Sequence, residues 1–240
     1  MFGSDQTHLK IHRFIGDFDL SPHTVIVNNV ALLHQWLRIL RFAVGENVIL
    51  CSGNRHEILG RIIALSKHEA SIEVIERRVN EAEPQREVTL YCAILKRENF
   101  ELAVQKAVEV GVTRIVPVRS HRTVKLNVKQ ERLLTIIKEA AEQSGRGILP
   151  ILEEPKSFSD AIGDSSRCQA RLFFDIMSEP FQPALIAGKT SACAFIGPEG
   201  GWSPEERAAA KQAGLHFVTI GPLVLRGETA AIVAGYLLCR

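Results

Sequence analysis

The chain has 240 residues, 46% hydrophobic and 23% charged, with a formal net charge of +2, as in ordinary globular proteins with an ample core. No apolar run reaches the length that spans a bilayer, and the N-terminal MFGSDQTHLKIHRF has no signal-peptide apolar region. Five widely spaced cysteines (Cys51, Cys92, Cys168, Cys193, Cys239) without a CxxC, and eight histidines without HxxxH or HExxH, argue for reduced thiols in a cytoplasmic protein and against a metal site.

The first third reads as short strands. LKIHRFI, TVIVN, NVILCS, HEILGRIIAL and ASIEVIE carry β-branched or alternating residues between polar breaks. One short helix over residues 31–40, ALLHQWLRIL, interrupts them; five strands with one helix predict a small β-barrel over residues 1–76. The polar, proline-bearing RRVNEAEPQRE predicts a linker over residues 77–87. From residue 88 to 240 strands alternate with helices: VTLYCAIL, a helix over 98–110, TRIVPV, a helix over 129–144, then ARLFFD, SACAFI and HFVTI, each with a helix expected after it. This alternation predicts an α/β domain with a mainly parallel sheet covered on both faces. Ligands of such sheets sit beyond the carboxyl ends of the strands. Charge is uneven: residues 96–138 hold ten Lys/Arg against four Asp/Glu, and residues 139–240 hold nine against twelve. A basic surface for phosphates and a plain solvated helix face both fit that asymmetry.

Two glycine-bearing turns fall at such strand ends. FIGPEGGWSPEE sets Gly197, Gly200 and Gly201 between strand SACAFI and a helix with Ser203 as N-cap, Pro204 at its first position and Glu205 and Glu206 in its first turn. HFVTIGPLVLRGETA sets Gly221 and Pro222 after the next strand, then the apolar LVL, then Arg226 before a last apolar helix. Glycine lets backbone approach a ligand closely, although a tight βα turn alone would also use it. Neither turn matches GxGxxG or GxxxxGK[ST], so dinucleotide and P-loop readings fit poorly. Backbone amides and carbonyls beside aliphatic side chains suit adenine, which has apolar faces and a hydrogen-bonding edge.

GPEGGWSPEE together with IGPLVLRGETA resembles the paired C-terminal signature of the SPOUT (α/β-knot) RNA methyltransferases. More narrowly it is similar to the bacterial RsmE-type enzymes, which methylate N3 of a uridine in 16S rRNA using S-adenosylmethionine. HRF (12–14), HQWLRILRFAVGE (34–46), KRENFELAVQKAVEVGVTRIVPV (96–118) and EAAEQSGRGILP (139–150) fall in the family's order and spacing. The resemblance implies a PUA-like RNA-binding barrel at the N-terminus and a C-terminal α/β trefoil-knot domain. It also implies a homodimer acting on the small ribosomal subunit, without membrane or metal. The S-adenosylmethionine pocket it implies has one wall from Ile196, Gly197, Pro198, Glu199, Gly200 and Gly201. Ile220, Gly221, Leu223, Leu225, Arg226, Thr229 and Ala230 would form the others, with Leu172 and Phe173 completing the adenosine side. The chain departs from the family in two places. Gly227 stands where threonine is common, and the chain ends at Arg240 soon after the last helix, which is expected to shorten that helix's dimer contacts.

A sulfonium methyl is already electrophilic, so such an enzyme must align it with N3 and ease the loss of the imide proton, on a uridine that is unpaired or flipped out. Arg226 is the expected catalytic residue, stabilising charge on uridine O2/O4 or holding a phosphate; pairing with Glu228 or a helix end is the alternative. Glu199 is expected to balance the sulfonium or assist deprotonation, or else to cap the amides of its own turn. Arg13, Arg38 and Arg41 are expected phosphate contacts, with Arg38 and Arg41 on one helix face and Trp36 and Leu40 packed inward. Lys96, Arg97 and Arg122 belong to the basic stretch. The resemblance adds Gln143 and Arg146 as substrate contacts, and spacing sets Glu142 and Arg146 on one helix face. A ribose 2′-O-methyltransferase of the same superfamily and a non-catalytic RNA-binding assembly factor are the competing readings; intact GPEGG and LRGETA oppose the second.

Overall fold

The computed structural model describes residues 11–123 and 128–240. They divide into two compact units, one running up to Ala82 together with Gly145–Ile148, the other Glu83–Ser144 with Leu149–Arg240. Among the described residues no helix is long and apolar enough to cross a membrane.

The first unit holds β1 (His12–Ile15), β2 (Thr24–Val27), α1 (Val30–His34), β3 (Asn47–Cys51), β4 (His56–Leu65) and β5 (Ala70–Val79). The strands form one mixed sheet in the order β1-β3-β4-β5-β2, with β1 parallel to β3 and the other pairs antiparallel. Strand alternation buries Val48, Leu50, Ile58, Ile62 and Ile72 against Leu33 and Trp36. The expected helix over 31–40 is two segments: after His34 it widens into a π-helical stretch, Gln35–Leu40, and stops at Arg41, which takes a left-handed φ of 56°. Trp36 thereby sits fully buried against Phe14 and Phe42, at ring distances of 5.0 and 5.7 Å. Arg41 has left the helix, so it does not share a helix face with Arg38 as expected.

The predicted linker over 77–87 starts too early, because β5 continues through Arg77 and Arg78 to Val79. Arg78 lies opposite Glu57 in the ladder and donates to it at 2.7 Å; cross-strand charge pairs of this kind let a polar stretch remain strand. Leu9 and Lys10 of the expected first strand lie outside the described residues.

The second unit contains β6 (Glu87–Ala93), α2 (Arg97–Glu109), β7 (Arg114–Arg119), α3 (Gln130–Ser144), β8 (Ile151–Leu152), β9 (Lys156–Ser157) and α4 (Phe158–Asp164). It continues with β10 (Ala170–Phe174), β11 (Ser191–Ile196), α5 (Pro204–Gln212), β12 (His216–Val218) and α6 (Gly227–Cys239). The sheet order is β12-β10-β11-β6-β7-β8, with β9 also beside β7 and every pair parallel. α6 packs on β6 and β11 beside α2. α4 and α5 cover an aromatic cluster of Tyr91, Phe173, Phe195 and Trp202. The expected alternation of helix and strand is thus present, with one exception. Between β10 and β11 the chain makes only a short 3-10 turn, Pro183–Leu185, since Pro180 and Pro183 interrupt the ladder a helix would need. α5 begins as its sequence predicts, with a reciprocal capping box: the Ser203 N–H donates to Glu206 at 2.8 Å, and the Glu206 N–H donates to Ser203 Oγ at 3.2 Å.

Asp164, at the end of α4, gathers Arg114 at 2.8 Å, Lys156 at 3.1 Å, Arg167 at 2.7 Å and the Tyr91 hydroxyl at 2.7 Å. Burial alone would raise its pKa, but the hydrogen bonds from Arg114, Tyr91 and Lys156 outweigh it and hold the carboxyl well below the usual carboxylate range. A depressed carboxylate contributes stability that is complete above its unfolded value of about 3.9 and is lost as pH falls through the folded value. Asp164→Asn should therefore cost about 3 kcal/mol at pH 7. In urea titrations the gap to wild type should narrow as pH falls below about 4; a gap constant over that range would contradict the assignment.

Candidate functional site

β12, β10 and β11 lie side by side, and residues at or just beyond their carboxyl ends line a cavity of about 360 Å³. Phe174 and Ile196 are the last residues of β10 and β11 and line it directly. One wall is the glycine turn with Trp202. Facing it are Ile220, Leu223, Val224 and Leu225 from the loop after β12, and then Arg226, Gly227 and Ala230 at the start of α6. Asp175 and Arg207 complete the lining.

The shape of the glycine turn has identifiable causes. Gly201 takes φ 68° and donates its N–H to the Pro198 carbonyl at 2.8 Å, a left-handed conformation that glycine adopts without steric cost. A Cβ on Gly197 would lie 3.1 Å from the indole of Trp202. That indole is buried, donates its Nε1–H to the Phe174 carbonyl at 3.2 Å and packs on Phe173 and Phe158 at 4.8 and 5.1 Å. A Cβ on Gly227 would lie 2.8 Å from a Leu95 methyl, so a larger residue there would require the Leu95 side chain to move.

The polar groups are unevenly committed. Asp175 is held by Arg207 at 2.5 and 3.2 Å. Glu199 is exposed and accepts the Lys96 N–H at 3.2 Å. It therefore caps the start of α2, where the helix dipole favours a carboxylate, rather than the amides of its own turn. Glu228 is buried, and its Oε2 has no hydrogen-bond partner among the described residues. Burial, then the nearby Glu199 and Glu228, push the Cys92 thiol up to about 12, so Cys92 stays a neutral thiol and is no nucleophile. Arg226 is the N-cap of α6 and exposed, and among the described residues its side chain makes no ion pair, with Glu228 or otherwise.

The structure thus brings together Ile196, Gly197, Pro198, Glu199, Gly201, Ile220, Leu223, Leu225, Arg226 and Ala230 of the expected pocket. Leu172 and Phe173 are not part of it. Both are fully buried within β10, and the strand runs on to Phe174 before the chain opens, so Phe174, Asp175 and Ile176 take that place. Gly200 also falls outside the lining: a Cβ there would face Arg122 at 3.4 Å, and the Arg122 guanidinium holds the Gly200 carbonyl at 2.7 Å. Gly221 and Thr229 flank the lining without joining it. Trp202, Asp175 and Arg207 are additions; of these only Trp202, next to the glycines in GGWSPEE, carries a visible sequence signal.

The expected RNA contacts fare unevenly. Arg38 and Arg41 are exposed, whereas Arg13 is engaged by the buried Glu57. Arg146 is buried and follows Gly145, whose φ of 83° ends α3, so it shares no helix face with Glu142. Glu142 lies 3.9 Å from Lys138, one turn earlier in α3. Gln143 and Lys96 are exposed. Part of the basic stretch over 96–138 is paired: Arg97 and Arg132 with Glu101, Lys106 with Glu109, and Arg114 with Glu153 and Asp164. Lys125 of that stretch lies outside the described residues.

A family model described as an RNA methyltransferase domain matches residues 81–238. A Mesomycoplasma hyopneumoniae protein named ribosomal RNA small subunit methyltransferase E is 31% identical over 220 residues, covering 86% of this chain and 90% of that one. A Bacillus subtilis protein of the same name is 28% identical over 222 residues, with 84% of each chain covered. A crystal structure of ribosomal RNA small subunit methyltransferase E from Neisseria gonorrhoeae, bound to S-adenosyl methionine, superposes with a TM-score of 0.86 at 29% identity, covering 94% of this chain and 95% of that one.

Trp202→Phe removes the donor to the buried Phe174 carbonyl, so it should lower unfolding stability by about 2 kcal/mol. A urea midpoint equal to wild type would show that this hydrogen bond does not hold the turn.

Proposed function

The chain belongs to the ribosomal RNA small subunit methyltransferase E family, and on that footing we propose that it transfers a methyl group from S-adenosylmethionine to N3 of a uridine in 16S rRNA. It is an S-adenosylmethionine-dependent rRNA methyltransferase. The observation that carries the cofactor assignment is the cavity at the strand ends, where the glycine turn faces the apolar loop after β12. Ile196, Ile220, Leu223 and Leu225 offer aliphatic surface for an adenine ring, and the close-set backbone around Gly197 and Gly201 offers hydrogen-bonding edges.

When bound, the cofactor supplies an electrophilic methyl group on a sulfonium. The chain's own residues then orient, neutralise and exclude water. Glu199 sits at the cavity with its charge only partly compensated by the α2 amide, so it can balance a nearby cation. Arg226, uncommitted at the start of α6, is placed to stabilise the negative charge that spreads over uridine O2 and O4 as N3 loses its proton.

The family's trefoil knot belongs to the same proposal. α6 follows the edge strand β12 yet packs at the centre of the sheet on β11 and β6, the course a threaded C-terminal segment would take. A homodimer, a PUA-like role for the N-terminal unit, a cytoplasmic setting, and RNA contacts from the exposed Arg38, Arg41, Lys96, Arg97, Arg122 and Gln143 complete it.

The test is mass spectrometry of 16S rRNA nucleosides after reaction of unmodified small subunits with protein and S-adenosylmethionine. The expected product is 3-methyluridine; 2′-O-methyluridine would assign the competing ribose chemistry. Arg226→Ala should cut turnover by about 100-fold while leaving cofactor affinity within a few-fold. Lost affinity with normal turnover at saturation would make Arg226 a binding residue instead.

A further inference from the structure

The cavity at the strand ends carries an ion pair that the chemistry at Glu199 and Arg226 does not use. Asp175 directly follows β10, Arg207 lies in the first half of α5, and both line the cavity. Arg207 donates from Nε to Asp175 Oδ2 at 2.5 Å and from Nη2 to Oδ1 at 3.2 Å, and the Met177 N–H donates to Oδ1 at 3.3 Å. The Asp175 side chain is 5% exposed, that of Arg207 41%. β11 lies between β10 and β6, so the pair stands across the cavity from Glu199, which caps the chain just past β6 at Lys96. Side chains held in this way have already lost the freedom that binding would otherwise cost.

Both partners keep hydrogen-bonding capacity. A carboxylate offers about four acceptor positions, and three donors occupy those of Asp175. Arg207 Nη1 makes no hydrogen bond among the described residues. The cavity is thus lined by an acceptor and a donor side by side, on a pair with no net charge.

That combination discriminates among the polar parts of S-adenosylmethionine. The α-carboxylate can only accept, and its attraction to Arg207 is offset by repulsion from the adjoining Asp175. The α-ammonium can only donate and meets the converse. In a vicinal diol each hydroxyl both donates and accepts, so one can donate to Asp175 while its neighbour accepts from Arg207, with no charge left to compensate. The adenine edge also presents a donor beside an acceptor, but the aliphatic Ile196, Ile220, Leu223 and Leu225 with the glycine-turn backbone already suit the base.

We propose that Asp175 and Arg207 form the ribose subsite, Asp175 accepting from one hydroxyl of the cofactor's vicinal diol and Arg207 donating to the other. The pair is then what selects a ribonucleoside cofactor over its deoxy forms. The inference rests on the cavity being the S-adenosylmethionine site.

The experiment is calorimetry of the full chain with S-adenosylmethionine, S-adenosylhomocysteine, the 2′-deoxy and 3′-deoxy forms of the latter, and 5′-methylthioadenosine, which lacks the α-carboxylate. Wild type, Asp175→Ala and Arg207→Gln are compared, with thermal midpoints to establish folding. Wild type should bind each deoxy form about tenfold more weakly than the parent, because one member of the pair is left without its partner. In the folded variants that ratio should fall to about twofold or less. Wild type that binds the deoxy forms as tightly as the parent overturns the subsite, a result that needs no variant to fold. Variants that weaken every ligand by the same factor make the pair a strut between β10 and α5 and overturn it too. Variants that lose only the preference for S-adenosylhomocysteine over 5′-methylthioadenosine assign the pair to the α-carboxylate, which also overturns it. Wild type that binds no S-adenosylmethionine overturns the cavity assignment itself, and the subsite with it.

Discussion

The cavity in the second unit depends on where Trp202 puts its ring. The indole fills the space beside Gly197 that a side chain there would need, and its N–H ties the turn after β11 to the carbonyl that ends β10. One residue thereby fixes two adjacent strand ends relative to each other and to the helix that Ser203 begins. The glycines follow from this: Gly197 because the indole is already there, Gly201 because the turn closes in a left-handed conformation. Gly227 answers a separate crowding, since Leu95 occupies the space at the start of α6.

Three carboxylates in this molecule each hold more than one basic side chain. Asp164 gathers three cations and a phenol, Glu57 gathers two arginines and an amide, and Glu101 serves both Arg97 and Arg132. A count of lysines and arginines along the sequence therefore overstates the basic surface. Arg226, at the cavity, is exposed and makes no ion pair among the described residues.

Much of the fold was legible because its signals are local. Alternation in HEILGRIIAL yields β4 with its bounds, and the Ser203 capping box marks the start of α5 to the residue. The glycine pair marked most of the cavity for the same reason, as a turn's conformational demands are written in its own residues. What was not legible depends on partners distant in sequence. The strand character of Arg77 and Arg78 comes from Glu57 across the ladder. Arg13 reads as a free cation until that same carboxylate is seen to take it. Leu172 and Phe173 read as site residues because nothing local says that β10 runs on to Phe174 before it opens. The departure at Gly227 looked like a lost hydroxyl, and the crowding by Leu95 at that position has no local signal either.

The central claim is that this glycine-walled cavity is where S-adenosylmethionine binds. Calorimetric titration of wild type and Gly197→Val with S-adenosylmethionine tests it most directly, with circular dichroism to establish folding. Wild type should show saturable binding and the variant at least about a tenfold loss, equivalent to about 1.4 kcal/mol, because the new side chain must displace the indole or intrude on the cavity. Wild-type affinity in a folded Gly197→Val protein would contradict it.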